Sequence, residues 1–208
     1  MPSVHIAGTA SVSTTAEVGR PFRPLLNGLK YSSDGDVHIG SNVYIGAYCL
    51  IGWGVCVGNG TIVDDFSKLE PDVRIGQRNL ITYGAQVCCD VVCGDDNIIG
   101  GFVGESTVIR NNCRIFGQIV HAQNDPGMPW DADESAEGAP TIEDSCFIGF
   151  GATVIGKVNL ASQVYVASGA LVTKHVPART VVKGFNLHVP ISEWPGPLKD
   201  SSFFKERR

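Results

Sequence analysis

The 208-residue sequence predicts an all-β fold, a parallel β-helix wound from six-residue repeats with three short walls to each turn. Between Ile39 and Ile99 every sixth residue is apolar: Ile39, Ile45, Ile51, Val57, Val63, Leu69, Ile75, Ile81, Val87, Cys93 and Ile99. Two places before most of these marks stands a small or β-branched companion, among them Val37, Cys49, Thr61 and Ala85, and a glycine follows many, as at Gly40, Gly46 and Gly76. Such a period is neither the helical one nor the alternation of a flat sheet. One repeat cannot stand alone, because fixing six backbones costs about 1–2 kcal/mol each while burying one large aliphatic returns about 1.5–3 kcal/mol. Stability must come from coil stacked on coil, with like residues in columns. The glycine after the mark suits a corner that needs either a positive φ or a close approach of the next coil.

Taken in order, Ile6, Val12 and Val18 already keep the period, with Ala10 and Ala16 as companions, so one coil precedes the long run. Residues 20–36 then interrupt it with Arg20-Pro21-Phe22-Arg23-Pro24 and unrepetitive sequence. That excursion either caps the open end of the helix or carries Arg23, Lys30 or Tyr31 to an acceptor or a neighbouring subunit. After Ile99 a step of four replaces one of six, and the period resumes at Val103, Ile109 and Ile115. Six residues on, where an aliphatic is expected, stands His121. Residues 122–141 form a second excursion, polar, with Asp125, Pro126, Gly127 and Trp130, and long loops of this kind in compact domains are functional or disordered. The repeat returns at Ile142 and continues through Ile148, Val154, Leu160, Val166 and Val172. About seven coils are expected, in one domain over 1–176. Pro177, Pro190, Pro195 and Pro197 break the period and forbid a long helix, so 177–208 is expected to be a short irregular tail.

Composition bounds the function. A formal charge of −5 gives no reason to expect nucleic acid or an anionic membrane as partner. No aliphatic run is long enough for a membrane span, and Met1-Pro2-Ser3-Val4-His5 does not open a secretory signal. With seven cysteines, an odd number, a reduced cytoplasmic protein is expected. Cys93 lies on the period and Cys49, Cys113 and Cys146 on companion positions, which makes them small core filler, and no metal site is expected.

The segment Phe147-Ile148-Gly149-Phe150-Gly151-Ala152-Thr153-Val154-Ile155-Gly156, followed by Val166-Ala167-Ser168-Gly169-Ala170-Leu171-Val172-Thr173-Lys174-His175-Val176-Pro177, resembles the C-terminal signature of the CoA-dependent hexapeptide-repeat acetyltransferases. That group includes maltose and galactoside O-acetyltransferases and xenobiotic acetyltransferases. The opening Ala7-Gly8-Thr9-Ala10, with Thr15-Ala16-Glu17-Val18-Gly19, is similar to the start of nucleotide-sugar N-acetyltransferases of the same superfamily. The resemblance implies a left-handed coil, an exception to the usual crossover rule. It also implies a homotrimer with sites between subunits, and direct transfer from acetyl-CoA or another acyl-CoA to a hydroxyl or amine. A thioester is already activated, so the protein needs only a base for the acceptor's proton and donors for the oxyanion.

A neutral imidazole, with a reference pKa of about 6.5, suits the first task. His121 matches the family's catalytic histidine in position and in opening a loop, with either Asp125 or a main-chain carbonyl to orient its other nitrogen. Phe150 and Ser168 match positions that touch the pantetheine arm. Thr173 and Lys174 match a pair near the nucleotide end, where a lysine neutralises phosphate. Family members continue V-G-x-P-A with a basic residue soon after, whereas this chain reads Val182-Lys183-Gly184, which makes Lys183 the candidate replacement. Trp130 offers a face for a sugar ring and Asp125 a partner for hydroxyls or an amine, so a sugar-like or nucleotide-sugar acceptor is expected. The acidic residues 131–137 serve equally to keep an exposed loop soluble. A γ-type carbonic anhydrase on this scaffold needs three histidines, yet only His121 lies between His38 and His175. The remaining alternative is a non-catalytic scaffold, in which His121 and the 122–141 loop have no assigned role.

Overall fold

The computed structural model describes residues 3–20, 35–122, 138–195 and Phe204. Strands of mostly two or three residues wind through three parallel walls as a β-helix. The first wall climbs from Val4–Ile6 to Asn159–Leu160 and the third from Glu17–Arg20 to Leu171–Val172, each through eight strands. The stack is therefore one coil taller than the seven counted from sequence. Parallel pairing keeps like residues in line, as in Val63↔Ile81↔Ile99, and these marks are buried in columns along the axis. Cys49, Cys93, Cys113 and Cys146 are buried free thiols within the core, as the period required.

The glycines after the marks are there for close approach. A Cβ on Gly46 would lie 2.3 Å from Asp65 Oδ1 and one on Gly76 2.6 Å from the Gly94 carbonyl oxygen, both in the coil above. The left-handed corner residue comes two places later and is often not glycine, as at Asn42, Phe66, Asp72 and Asp96.

The interior also holds amides that the period did not foresee. Asn79 and Asn97 occupy companion positions at the second wall and are 2% and 1% exposed. Asn97 N–H donates to Asn79 Oδ1 at 2.8 Å, Cys113 N–H donates to Asn97 Oδ1 at 2.7 Å, and Asn79 Nδ2 donates to the Gly94 carbonyl at 2.9 Å. The side chains thus satisfy corner amides that the short ladders leave without a strand partner.

Two shortened corners decide where the chemistry-bearing residues stand. The step Ile99 to Val103 recurs as Ile115 to Ile119, and Val103 pairs with Ile119 in the third wall. Glycine permits both. Gly101 and Gly117 take the companion positions, and a Cβ on Gly101 would lie 1.8 Å from the Gly117 carbonyl oxygen. Ile119, fully buried, is therefore the inward mark, and the expectation that His121 takes that place is corrected. His121 follows the strand Gln118–Val120, at the corner between the third and first walls.

Beyond residue 176 the chain has more order than an irregular tail. Thr180–Lys183 extends the second wall beside Tyr165–Val166, with Val182 continuing the Val166 column, and Leu187–Pro190 folds back antiparallel upon it. Val181, Ile191 and Phe204 close a small apolar cluster with Tyr165 and Trp194. Among the described residues no helix is long and apolar enough to cross a membrane.

Candidate active site

The corner between the third and first walls carries a column of side chains. The register Phe102↔Gln118 and Val103↔Ile119, continued two places, sets Glu105 opposite His121, one coil away at a backbone spacing of about 4.8 Å. On the other side Ile119↔Val154 sets Gly156 opposite His121. One coil further the corner shortens again, from Val172 to Val176, and Lys174 lies within it. Gly156 N–H donates to the Val120 carbonyl at 2.9 Å, which fixes the chain entering His121. The imidazole is half-buried and both ring nitrogens are sealed from solvent in the single chain.

Below it the corner is acidic. Ligating atoms of Glu70, Cys89 and Glu105 lie within 4.8 Å of one another, the Cys89 thiol donates to Glu70 Oε2 at 3.4 Å, and Lys68 pairs with Glu70. Burial first, then the Glu70 charge, pushes the Cys89 thiol well above its ordinary range, which removes it as a nucleophile. Glu105 was missed from sequence. Its offset from Val103 equals that of His121 from Ile119, a match visible only when the step of four is applied twice.

Beside this corner the outer face of the third wall holds a concavity of about 530 Å³, lined by residues that include Gln86, Phe102, Gln118 and Val120. Its far edge is the corner between the second and third walls. There Phe150 and Ser168 stand one above the other through Ile148↔Val166. Phe150 is 67% exposed and its ring stacks on Phe116 at 4.8 Å. The structure thus places Phe150 with Ser168 on one edge of the third wall and His121 on the other.

Thr173 is clamped by Asn186, whose Oδ1 accepts its N–H at 2.8 Å and whose Nδ2 donates to its Oγ1 at 2.7 Å. The Lys183 ammonium sits 5.4 Å from the Trp194 ring centroid. Burial, then the charge of Lys174, holds the His188 imidazole below its ordinary range. His175 is exposed and accepts the Asn159 N–H on Nδ1 at 2.9 Å. Asp125 and Trp130 lie outside the described residues, as do Arg23, Lys30 and Tyr31.

The outer face of the second wall is apolar, with Tyr44 and Ile62 each 43% exposed. Along its edge run Tyr48, Phe66 and Tyr83, with ring centroids 5.1 and 5.4 Å apart.

No family model matches the chain. Over 170 residues, 74% of its length, it is 31% identical to the probable UDP-3-O-acylglucosamine N-acyltransferase 2, mitochondrial, of Arabidopsis thaliana. Over 116 residues, 56% of its length, it is 28% identical to serine acetyltransferase 2 of the same plant. The chain spans 50% and 29% of the lengths of these two relatives. A crystal structure of a UDP-N-acetylglucosamine acyltransferase aligns with 88% of this chain and 71% of its own at 20% identity, with a TM-score of 0.48.

Proposed function

The chain belongs to the hexapeptide-repeat acyltransferase family, and from that premise we propose that it moves an acetyl or other short acyl group from acyl-CoA directly to a hydroxyl or amine of a sugar-like or nucleotide-sugar acceptor. The observation that carries this reading is the corner that sets Glu105 opposite His121 beside the third-wall concavity. The imidazole takes the acceptor's proton as the oxygen or nitrogen forms its bond to the thioester carbonyl carbon. The tetrahedral intermediate then collapses, the carbon–sulfur bond breaks, and the leaving thiolate receives that proton from the imidazolium. A carboxylate opposite the histidine, one coil below, gives Glu105 a positioning role for the ring. Phe150 and Ser168 serve the pantetheine arm, and Thr173 and Lys174 the nucleotide phosphates.

Because His121 and the Phe150–Ser168 pair occupy opposite edges of one wall, the reading calls for a neighbouring subunit to complete each site. The apolar second wall, with its aromatic edge, supports a homotrimer, since contiguous exposed apolar surface on a small protein marks an interface.

Thiol release from acetyl-CoA, tested against amino sugars, nucleotide sugars and simple alcohols, checks the proposal. Acceptor-dependent release is expected, and none with any acceptor is the result of a scaffold. In a Glu105→Gln variant kcat is expected to fall about tenfold or more, with KM for the donor kept. A kcat equal to that of the parent removes Glu105 from this role.

A further inference from the structure

We propose that His5, Asp36 and His38 form a site for a divalent transition metal of the zinc class, far from the His121 corner and independent of acyl transfer. His5 and His38 stand directly opposite each other on the first two strands of the first wall, and their rings lie parallel, with centroids 4.9 Å apart and planes 10° from coplanar. Asp36 Oδ2 is 3.5 Å from His5 Nε2, and its other oxygen accepts the Ser3 N–H at 2.7 Å, which fixes the carboxylate. One ligating atom from each of the three residues falls within 4.8 Å of the others. Metal bonds of about 2.0–2.2 Å in a tetrahedral set put ligand atoms about 3.3–3.6 Å apart, a separation His5 and Asp36 already have. Exposed side chains reach that by rotation about their side-chain bonds, and His5 and Asp36 are 55% and 47% exposed.

Two imidazoles and one carboxylate are a borderline donor set that suits zinc, cobalt or iron and ill suits magnesium or calcium. The next residue in the row is Cys56, paired in register with His38, and the row borders a concavity of about 780 Å³. The three ligands leave a coordination position open towards it for water or a small anion.

The placement gives the metal a task. His5 precedes the 21–34 segment while Asp36 and His38 follow it, so one ion ties the first coil to the second. That coil needs a tie, since the strand Val4–Ile6 is exposed along its whole length and, among the described residues, pairs on one side only. A ligand that binds only the folded coil stabilises it by mass action.

Cobalt(II) titration of the metal-stripped full chain tests the site. One cobalt per chain is expected, with visible bands that zinc displaces, together with slower amide exchange over residues 4–7 when zinc is added. His5→Ala and His38→Ala are each expected to weaken binding about tenfold or more. Both side chains are exposed, so unchanged circular dichroism verifies that these variants fold. Equal cobalt affinity in the parent and the double variant, or no saturable binding by the parent, overturns the site. Neither result bears on acyl transfer, which the thiol-release assay reads separately.

Discussion

Replacing His121 with alanine is expected to lower kcat by about 10²–10⁴-fold, the usual contribution of a positioned general base. That corresponds to about 3–5 kcal/mol of transition-state stabilisation. Binding of CoA is expected to persist, because Phe150, Ser168 and Lys174 remain. The melting temperature is also expected to hold. The imidazole is at a corner, and the inward column beside it is completed by Ile119, so its removal opens no core cavity. Thiol release, CoA titration calorimetry and a thermal melt on one preparation separate the three effects. Undiminished turnover removes His121 from the chemistry, and a large drop in melting temperature contradicts its placement outside the core.

The second large effect is structural. In Gly101→Ala the new methyl would meet the Gly117 carbonyl oxygen at 1.8 Å, a backbone atom that no rotamer change can clear. The two coils must separate, and a loss of about 3 kcal/mol or more is expected, at the upper end for an overpacked core. Gly84→Ala is the internal control. Gly84 has φ +68° with nothing within 4 Å of an added Cβ, so only the left-handed backbone penalty of about 1–2 kcal/mol applies. Urea denaturation of both variants checks the order. A Gly101→Ala chain no less stable than Gly84→Ala contradicts the close contact that allows the shortened corner. Because that corner sets the level of Ile119, the Gly101 variant is also expected to lose transferase activity.

The walls were legible because a stacked coil demands the same offset at every turn, and one aliphatic every six residues meets that demand. The shortened corners were less so. Counting by six from Ile115 reaches His121, and only the glycines at 101 and 117 signal that the chain cuts across to Ile119. The same slip hid Glu105. Asn79 and Asn97 were passed over because a buried amide breaks the apolar pattern, and its reason, an unpaired corner N–H one coil away, is visible only in three dimensions. In the tail, Pro177 and Pro190 rule out a helix, yet Val181 and Val182 between them suit a strand and form one. Lys183 was placed by resemblance near phosphate, but its ammonium lies against Trp194. Chemistry was legible only through the signature around Phe150, Ser168 and Thr173-Lys174, since no period or composition identifies a thioester donor.

The most direct measurement is a crystal structure of the protein with CoA bound. The thiol sulfur is expected within hydrogen-bond reach, or one water, of a His121 ring nitrogen, with the pantetheine passing Phe150 and Ser168 and a second subunit closing the third-wall concavity. CoA bound elsewhere, or a His121 imidazole facing away from the sulfur in a closed assembly, contradicts the account.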